Sequence, residues 1–223
     1  MKFLKVMKKN NSLILFCIDR WDMYHAKQMQ EEIDYALKKS QNINNIIIAI
    51  VVFLTSALMS FMYGIDITIG NYLWLPMGAK VLAFLLFGLW AFPGVLLGSL
   101  MSGIFLYDVW SGNTFYGPLG TLVGVLAPLF AIMIMRYFRL SNFFDEGVIN
   151  FRHVLFLIIL SSLINTLTKL FLYIDKVRDI DGKEVDALNF IQSYLTGDIL
   201  GGIAFVIIVL KLLLPFLRNR KLV

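Results

Sequence analysis

The chain is poor in the residues from which catalytic and metal centres are commonly built. Its 223 residues include one cysteine and two histidines. Cys17 by itself excludes an internal disulfide and a cysteine-based metal site. His25 and His153 are isolated from other ligand-type residues, and the sequence has neither a P-loop nor a dinucleotide-binding glycine motif. These absences predict a protein without enzymatic activity, metal or cofactor.

Charge is scarce as well. Charged residues make up 16% of the chain and hydrophobic residues 59%, whereas soluble domains have about 25% charged and about 45–50% apolar residues. The basic residues that produce the net charge of +5 are scattered among loops, which argues against a nucleic-acid partner. The composition therefore predicts an all-α protein embedded in a lipid bilayer.

Six apolar stretches predict transmembrane helices, since a crossing takes about 20 mostly apolar residues. They are residues 43–63, 72–90, 95–107, 117–135, 153–174 and 193–214. We expect a helical bundle over residues 43–214, preceded by an amphipathic interfacial leader (1–42) and followed by a basic tail (215–223). One alternative stays open, because residues 72–107 either cross twice or form a re-entrant hairpin.

The distribution of basic residues predicts the orientation. Fifteen of the 20 lysines and arginines lie in the leader, in the loop after the fourth stretch or at the C-terminal end. The positive-inside tendency then puts both termini in the cytoplasm and the protein in the cell's inner (cytoplasmic) membrane. Residues 1–42 are the expected docking surface for a partner protein; a solvated leader that only helps insertion is the alternative.

Three charged residues interrupt the apolar stretches, namely Lys80, Lys169 and Asp198. A charge in hydrocarbon is costly unless it is paired or lies in a wet cavity. In the predicted orientation all three lie about 6–9 Å below the outer interface, at a rise of 1.5 Å per residue. Two interpretations follow: Asp198 neutralises a lysine and fixes helix register, or the three line an outward-open pocket for a polar or anionic small molecule. The candidate ligand-binding residues are Lys80, Lys169, Asp198, Trp74, Asp108 and Asn165.

Glycine pairs four residues apart form a second pattern. They are Gly94 and Gly98, Gly120 and Gly124, and Gly197 and Gly201. Such spacing puts both glycines on one helix face and allows close approach of a neighbouring backbone. We expect packing within one bundle, with a dimer seam as the alternative.

Several short motifs resemble the first-type membrane-associated sensor (MASE) domain, over roughly residues 70–135 and 193–213. They are Trp74-Leu-Pro-Met-Gly-Ala-Lys80, Leu85-Leu-Phe-Gly-Leu-Trp90, Phe92-Pro-Gly-Val-Leu-Leu-Gly98 and Thr196-Gly-Asp-Ile-Leu-Gly-Gly202. The resemblance implies a membrane sensor that controls a cytoplasmic cyclase, kinase or phosphodiesterase. The positions it carries over are Trp74, Pro76, Gly78, Gly197 and Asp198.

This sequence departs from the MASE pattern in two ways. The family usually has more spans, and its output domain follows the last helix, whereas this sequence ends at Val223. The expectation is therefore a sensor acting through a separate protein. The short helices and outward pocket are also similar to the substrate-binding S component of energy-coupling-factor vitamin transporters. An accessory subunit of a larger membrane complex is a third possibility.

Overall fold

The architecture is helical throughout the part of the chain that the computed structural model describes, residues 21–63, 72–107, 116–140, 151–173, 186–209 and 211. The helices are α1 (Trp21–Tyr63), α2 (Leu75–Phe87), a short 3-10 helix (Gly88–Ala91), α3 (Phe92–Phe105), α4 (Tyr116–Tyr137), α5 (Phe151–Tyr173) and α6 (Ala187–Ile208). No strand occurs within these ranges, so the all-α prediction is confirmed. Residues 1–20 of the predicted leader and the tail 215–223 lie outside the described residues.

Proline and aspartate mark the starts of three helices. Pro76 and Pro93 lie in the first turns of α2 and α3, where the missing N–H of proline costs no helical hydrogen bond. Asp186 caps α6, because its carboxylate accepts a 3.0 Å hydrogen bond from the backbone N–H of Leu188. The helix therefore begins at Ala187, and the predicted start at residue 193 is wrong. The first turns contain polar residues, so hydropathy alone does not identify them as part of the helix.

Five helical segments are long and apolar enough to cross a membrane, judged by length and composition. They are Lys38–Tyr63, Leu75–Phe105, Gly117–Tyr137, Phe151–Leu172 and Ala187–Ile208. Large apolar side chains remain exposed along them, as expected for a surface that faces lipid and unusual for a soluble monomer. The chain is thus a multi-pass membrane protein by this criterion. The count of six spans depends on how the segment Leu75–Phe105 crosses.

The segment Leu75–Phe105 folds back on itself as a helical hairpin. The rings of Trp74 and Tyr107, which flank its two ends, have centroids 5.7 Å apart; in a straight helix of this length they would be about 45–50 Å apart. Gly88, with φ of 60°, begins the 3-10 turn that reverses the chain. Each arm is about 20 Å long, shorter than the roughly 30 Å hydrocarbon core of a bilayer. Six spans therefore stays a prediction.

The chain divides into two units, Met1–Ile43 and Asn44–Val223; in the first, the described part is the N-terminal portion of α1. Within the second unit, α1 and α3 run parallel. Gly94 packs against Asn45 and Gly98 against Ala49, and further along both helices the Tyr107 hydroxyl donates a 2.7 Å hydrogen bond to the carbonyl of Ser56.

Helices α2, α5 and α6 pack closely through glycine. Gly201 of α6 lies so close to the backbone of Trp74 that a Cβ there would overlap it. Further along α2, a Cβ on Gly78 would lie 2.7 Å from the carbonyl oxygen of Gly202. These pairs make α2 and α6 parallel. Helix α5 runs the opposite way, because Asn165 contacts Asp198 while Ile158 contacts Gly202. The start of α2, the start of α6 and the end of α5 consequently meet at one end of the bundle. The predicted packing within one bundle is thus seen for two glycine pairs, Gly94 with Gly98 and Gly197 with Gly201.

An apolar core holds four helices of the bundle together. One cluster of buried residues joins α2, α4, α5 and α6. Its members are Met77, Val81, Ala131, Met135, Val154, Leu157, Ile158 and Val206.

Candidate functional site

Four of the six predicted site residues converge at this end of the bundle. Lys80 comes from α2, Asn165 and Lys169 from α5, and Asp198 from α6. Exposed fractions are 9% for Lys80 and 2% each for Asn165 and Asp198, while Lys169 is partly buried. Burial of so many polar groups in an otherwise apolar bundle is costly unless they interact with one another or with a ligand.

The polar groups of three of these side chains meet over Gly124 of α4. The Lys80 ammonium lies 3.4 Å from the Gly124 carbonyl oxygen, to which it donates. A Cβ built on Gly124 would have three nearest neighbours: Lys80 Nζ at 3.5 Å, Asn165 Oδ1 at 3.5 Å and Lys169 Nζ at 3.8 Å. Two cations and one amide oxygen from two helices therefore surround a single point on a third. We call this arrangement of Lys80, Asn165, Lys169 and Gly124 the Gly124 site.

Asn165 connects the Gly124 site to Asp198. Its Nδ2 donates a 2.6 Å hydrogen bond to Asp198 Oδ2. The orientation of the amide is fixed by this contact, because a carboxylate accepts hydrogen bonds and Nδ2 is the donor end of the amide. The opposite end, Oδ1, is therefore directed at the Gly124 site. It is buried and has no hydrogen-bond partner among the described residues.

Lys169 also contacts an aromatic ring of α6. Its Nζ lies 5.3 Å from the centroid of the Tyr194 ring, within the range of a cation–π interaction. Tyr194 is in turn stacked on Phe190, with centroids 4.3 Å apart. Sequence reasoning missed Tyr194. Its place four residues before Asp198 was the available signal, since that spacing puts both residues on one helix face.

The charges form a loose cluster instead of a direct ion pair. Both ammonium groups and the Asp198 carboxylate interact electrostatically, yet no N···O distance within 4.0 Å joins Asp198 to either lysine in the described part of the chain. The direct partner of Asp198 is Asn165. Both predicted interpretations, neutralisation of a lysine by Asp198 and a pocket for a polar or anionic small molecule, stay predictions. With all three groups ionised, the cluster carries a net charge of +1.

Trp74 connects the helices that surround the Gly124 site. Its backbone N–H donates a 2.9 Å hydrogen bond to the carbonyl of Gly197 on α6, and its ring is tilted against that of Tyr107. These contacts join the start of α2 to α6 and, through Tyr107, to Ser56 of α1. Direct ligand contact by Trp74 stays a prediction. Asp108, the sixth predicted site residue, lies outside the described residues.

Gly124 is a site residue that sequence reasoning assigned to packing alone. Its spacing from Gly120 indicated close helix approach, whereas the atoms nearest to a Cβ built on Gly124 are the ends of lysine and asparagine side chains and not a neighbouring backbone. The described residues contain no group of three histidine, cysteine or acidic side chains that would hold a metal ion.

Comparisons with protein-family models, with curated proteins and with solved structures found no match. The resemblances to the MASE domain and to the transporter S component therefore stay predictions.

Proposed function

We propose that this protein is a non-enzymatic sensory module of the inner membrane. It recognises a polar small molecule at the Gly124 site and passes that information to a separate partner protein. The observation that carries the proposal is the convergence of Lys80 and Lys169, from different helices, on one glycine of a third helix. Charged residues inside membrane-spanning helices are rare, and those that occur commonly mark ligand or ion sites.

The proposed topology is six crossings with both termini in the cytoplasm. The helix directions agree with it: α1 and α3 are parallel, α2 and α6 are parallel, and α5 opposes α6. Basic residues of the leader and of the loop after α4 support a cytoplasmic location for these parts. In this topology the Gly124 site lies near the outer membrane surface, where an extracytoplasmic ligand has access.

The proposed route to the partner is helix α1. It is one helix from Trp21 to Tyr63, so the end of the leader and the part that packs on α3 belong to the same element. The leader, residues 1–42, is the proposed docking surface. A change at the ligand site reaches α1 through Trp74, Tyr107 and Ser56, whose contacts link α6 to α1.

Purification of the full-length protein from native membranes in mild detergent tests this function. Mass spectrometry identifies co-eluting small molecules and proteins for the wild type, for a Lys80→Met/Lys169→Met double variant and for Lys211→Met, which changes an exposed lysine outside the leader. We expect a small molecule with the wild type and Lys211→Met but not with the double variant. We also expect a co-eluting signalling protein that the double variant retains to a different extent than the other two.

Equal small-molecule content in the wild type and the double variant would contradict the proposal. Co-elution with paired ATPases would replace it with a vitamin-type transporter component. Recovery as a stoichiometric part of a large complex without any small molecule would replace it with an accessory subunit.

A further inference from the structure

The Gly124 site limits the size of the group it accepts. The three nearest neighbours of a Cβ at residue 124 would lie at 3.5–3.8 Å, which is ordinary van der Waals contact. A single methyl group on Gly124 fits there, in contact with both ammonium groups and the amide oxygen. A larger group has to displace the ends of the two lysine side chains, so the site favours small ligands in which a compact anionic group, such as a carboxylate, meets the ammonium groups.

The charge of the cluster selects the charge of that group. Lys80 and Lys169 together with Asp198 carry +1 when ionised. A monoanion makes the buried cluster neutral, whereas a dianion such as hydrogen phosphate leaves an excess negative charge in a low-dielectric environment, and that is costly. A zwitterionic amino acid leaves the excess positive charge in place and adds a third ammonium group beside two others.

Asn165 adds a requirement for a hydrogen-bond donor. Its Oδ1 is buried, directed at the Gly124 site by the Nδ2 contact with Asp198, and has no partner among the described residues. An acceptor in such a position costs free energy until a donor reaches it. The ammonium groups satisfy carboxylate oxygens of a ligand, so a ligand hydroxyl next to the carboxylate is the group that satisfies Oδ1.

We propose that the Gly124 site binds small monocarboxylates that carry a neighbouring hydroxyl group, the α-hydroxy acid class. This proposal rests on the ligand-recognition role given above and names the chemistry of that ligand. Lys80 and Lys169 bind the carboxylate, Asn165 accepts the hydroxyl hydrogen, and Asp198 holds Asn165 in the orientation that allows this.

Thermal unfolding of the dialysed, full-length protein with small probe molecules tests the proposal. The probes are glycolate, acetate (no hydroxyl), glycolamide (no charge), glycine and the dianion sulfate, each at tens of millimolar and at one ionic strength maintained with sodium chloride. We expect glycolate at ten times its dissociation constant to raise the unfolding midpoint by about 3–6 °C. Acetate should give a smaller rise, and glycolamide, glycine and sulfate none.

Variants establish where the probe binds. Lys80→Met and Lys169→Met should abolish the glycolate-induced rise, as should Gly124→Leu, which blocks the site sterically and leaves every charge in place. Lys211→Met, at an exposed lysine outside both the leader and the Gly124 site, is the matched control and should keep the full rise. No rise in the wild type, or an equal rise in both lysine-to-methionine variants, overturns the proposal. An acetate effect equal to that of glycolate overturns the hydroxyl requirement, and an equal sulfate effect overturns the choice of a monoanion.

The two proposals fail in different ways. If glycolate has no effect but a co-purifying small molecule still depends on Lys80 and Lys169, the ligand class is wrong and the recognition role stands. If no small molecule depends on these lysines in either experiment, both proposals fall.

Discussion

The Asn165 amide donates a 2.6 Å hydrogen bond to the carboxylate of Asp198 and thereby stands between that carboxylate and the two lysines. The arrangement differs from a buried ion pair, in which the opposite charges would satisfy each other and leave little for a ligand. Here the acid orients an amide, and the amide oxygen joins the ammonium groups at Gly124. This arrangement is the reason for proposing a ligand-binding role for the charged residues.

Removing the Asp198 charge should destabilise the bundle. We expect Asp198→Asn to lower the free energy of unfolding by about 3–5 kcal/mol, because two buried ammonium groups lose their counter-charge. Adding Lys80→Met should recover part of this loss, since it removes one of the uncompensated cations. Unfolding of the single and double variants in detergent measures both effects. Wild-type stability for Asp198→Asn, or no recovery in the double variant, would show that the cluster is not electrostatically coupled.

Two glycine-to-alanine changes should have opposite outcomes. Gly201→Ala should destabilise the protein by about 1–3 kcal/mol or more, because its Cβ would overlap the backbone of Trp74. Gly124→Ala should be neutral or stabilising by up to about 1 kcal/mol, since its Cβ meets only ordinary contacts and alanine is the better helix former. Thermal unfolding of the two variants side by side provides the comparison. Similar losses in both would mean that the close approach of α6 to Trp74 is not real.

The Tyr107 hydroxyl should contribute measurably to stability. Tyr107→Phe keeps the ring against Trp74 but removes the hydrogen bond to the Ser56 carbonyl, so we expect a loss of about 1 kcal/mol. Tyr137→Phe is the matched control, because Tyr137 is 82% exposed, and should leave the unfolding midpoint unchanged. A Tyr107→Phe variant as stable as this control would argue against the link between α3 and α1.

The location of the hairpin turn distinguishes two crossings from a re-entrant loop. Replacing the single cysteine by Cys17→Ser allows a new cysteine to be introduced at Leu89, which is 73% exposed in the 3-10 turn. We expect a membrane-impermeant maleimide to label Leu89→Cys only from the cytoplasmic side, as six crossings require. Tyr72→Cys, in an exposed position at the opposite end of α2, should be labelled only from outside. Failure to label Leu89→Cys from the cytoplasm, with Tyr72→Cys labelled as expected, would favour the re-entrant hairpin.

Much of the secondary structure was predictable because hydropathy and helix length are local properties. The helices α4 and α5 lie within about two residues of the predicted apolar stretches. The start of α6 was misplaced because an aspartate cap and a polar first turn do not register as hydrophobic. A break was expected between the stretches 72–90 and 95–107, whereas the 3-10 turn occupies Gly88–Ala91 and the next helix begins at Phe92. The two arms are also shorter than standard spans.

The sequence by itself determined that this is a helical membrane protein and that Lys80, Lys169 and Asp198 occupy similar levels, since depth follows from counting residues along each helix. Only the tertiary structure decided which groups face one another. The rotation and spacing of helices depend on glycine contacts between segments distant in the chain, such as Gly201 with Trp74 and Gly202 with Gly78. That packing directs Asn165 to Asp198 and leaves both lysines at Gly124.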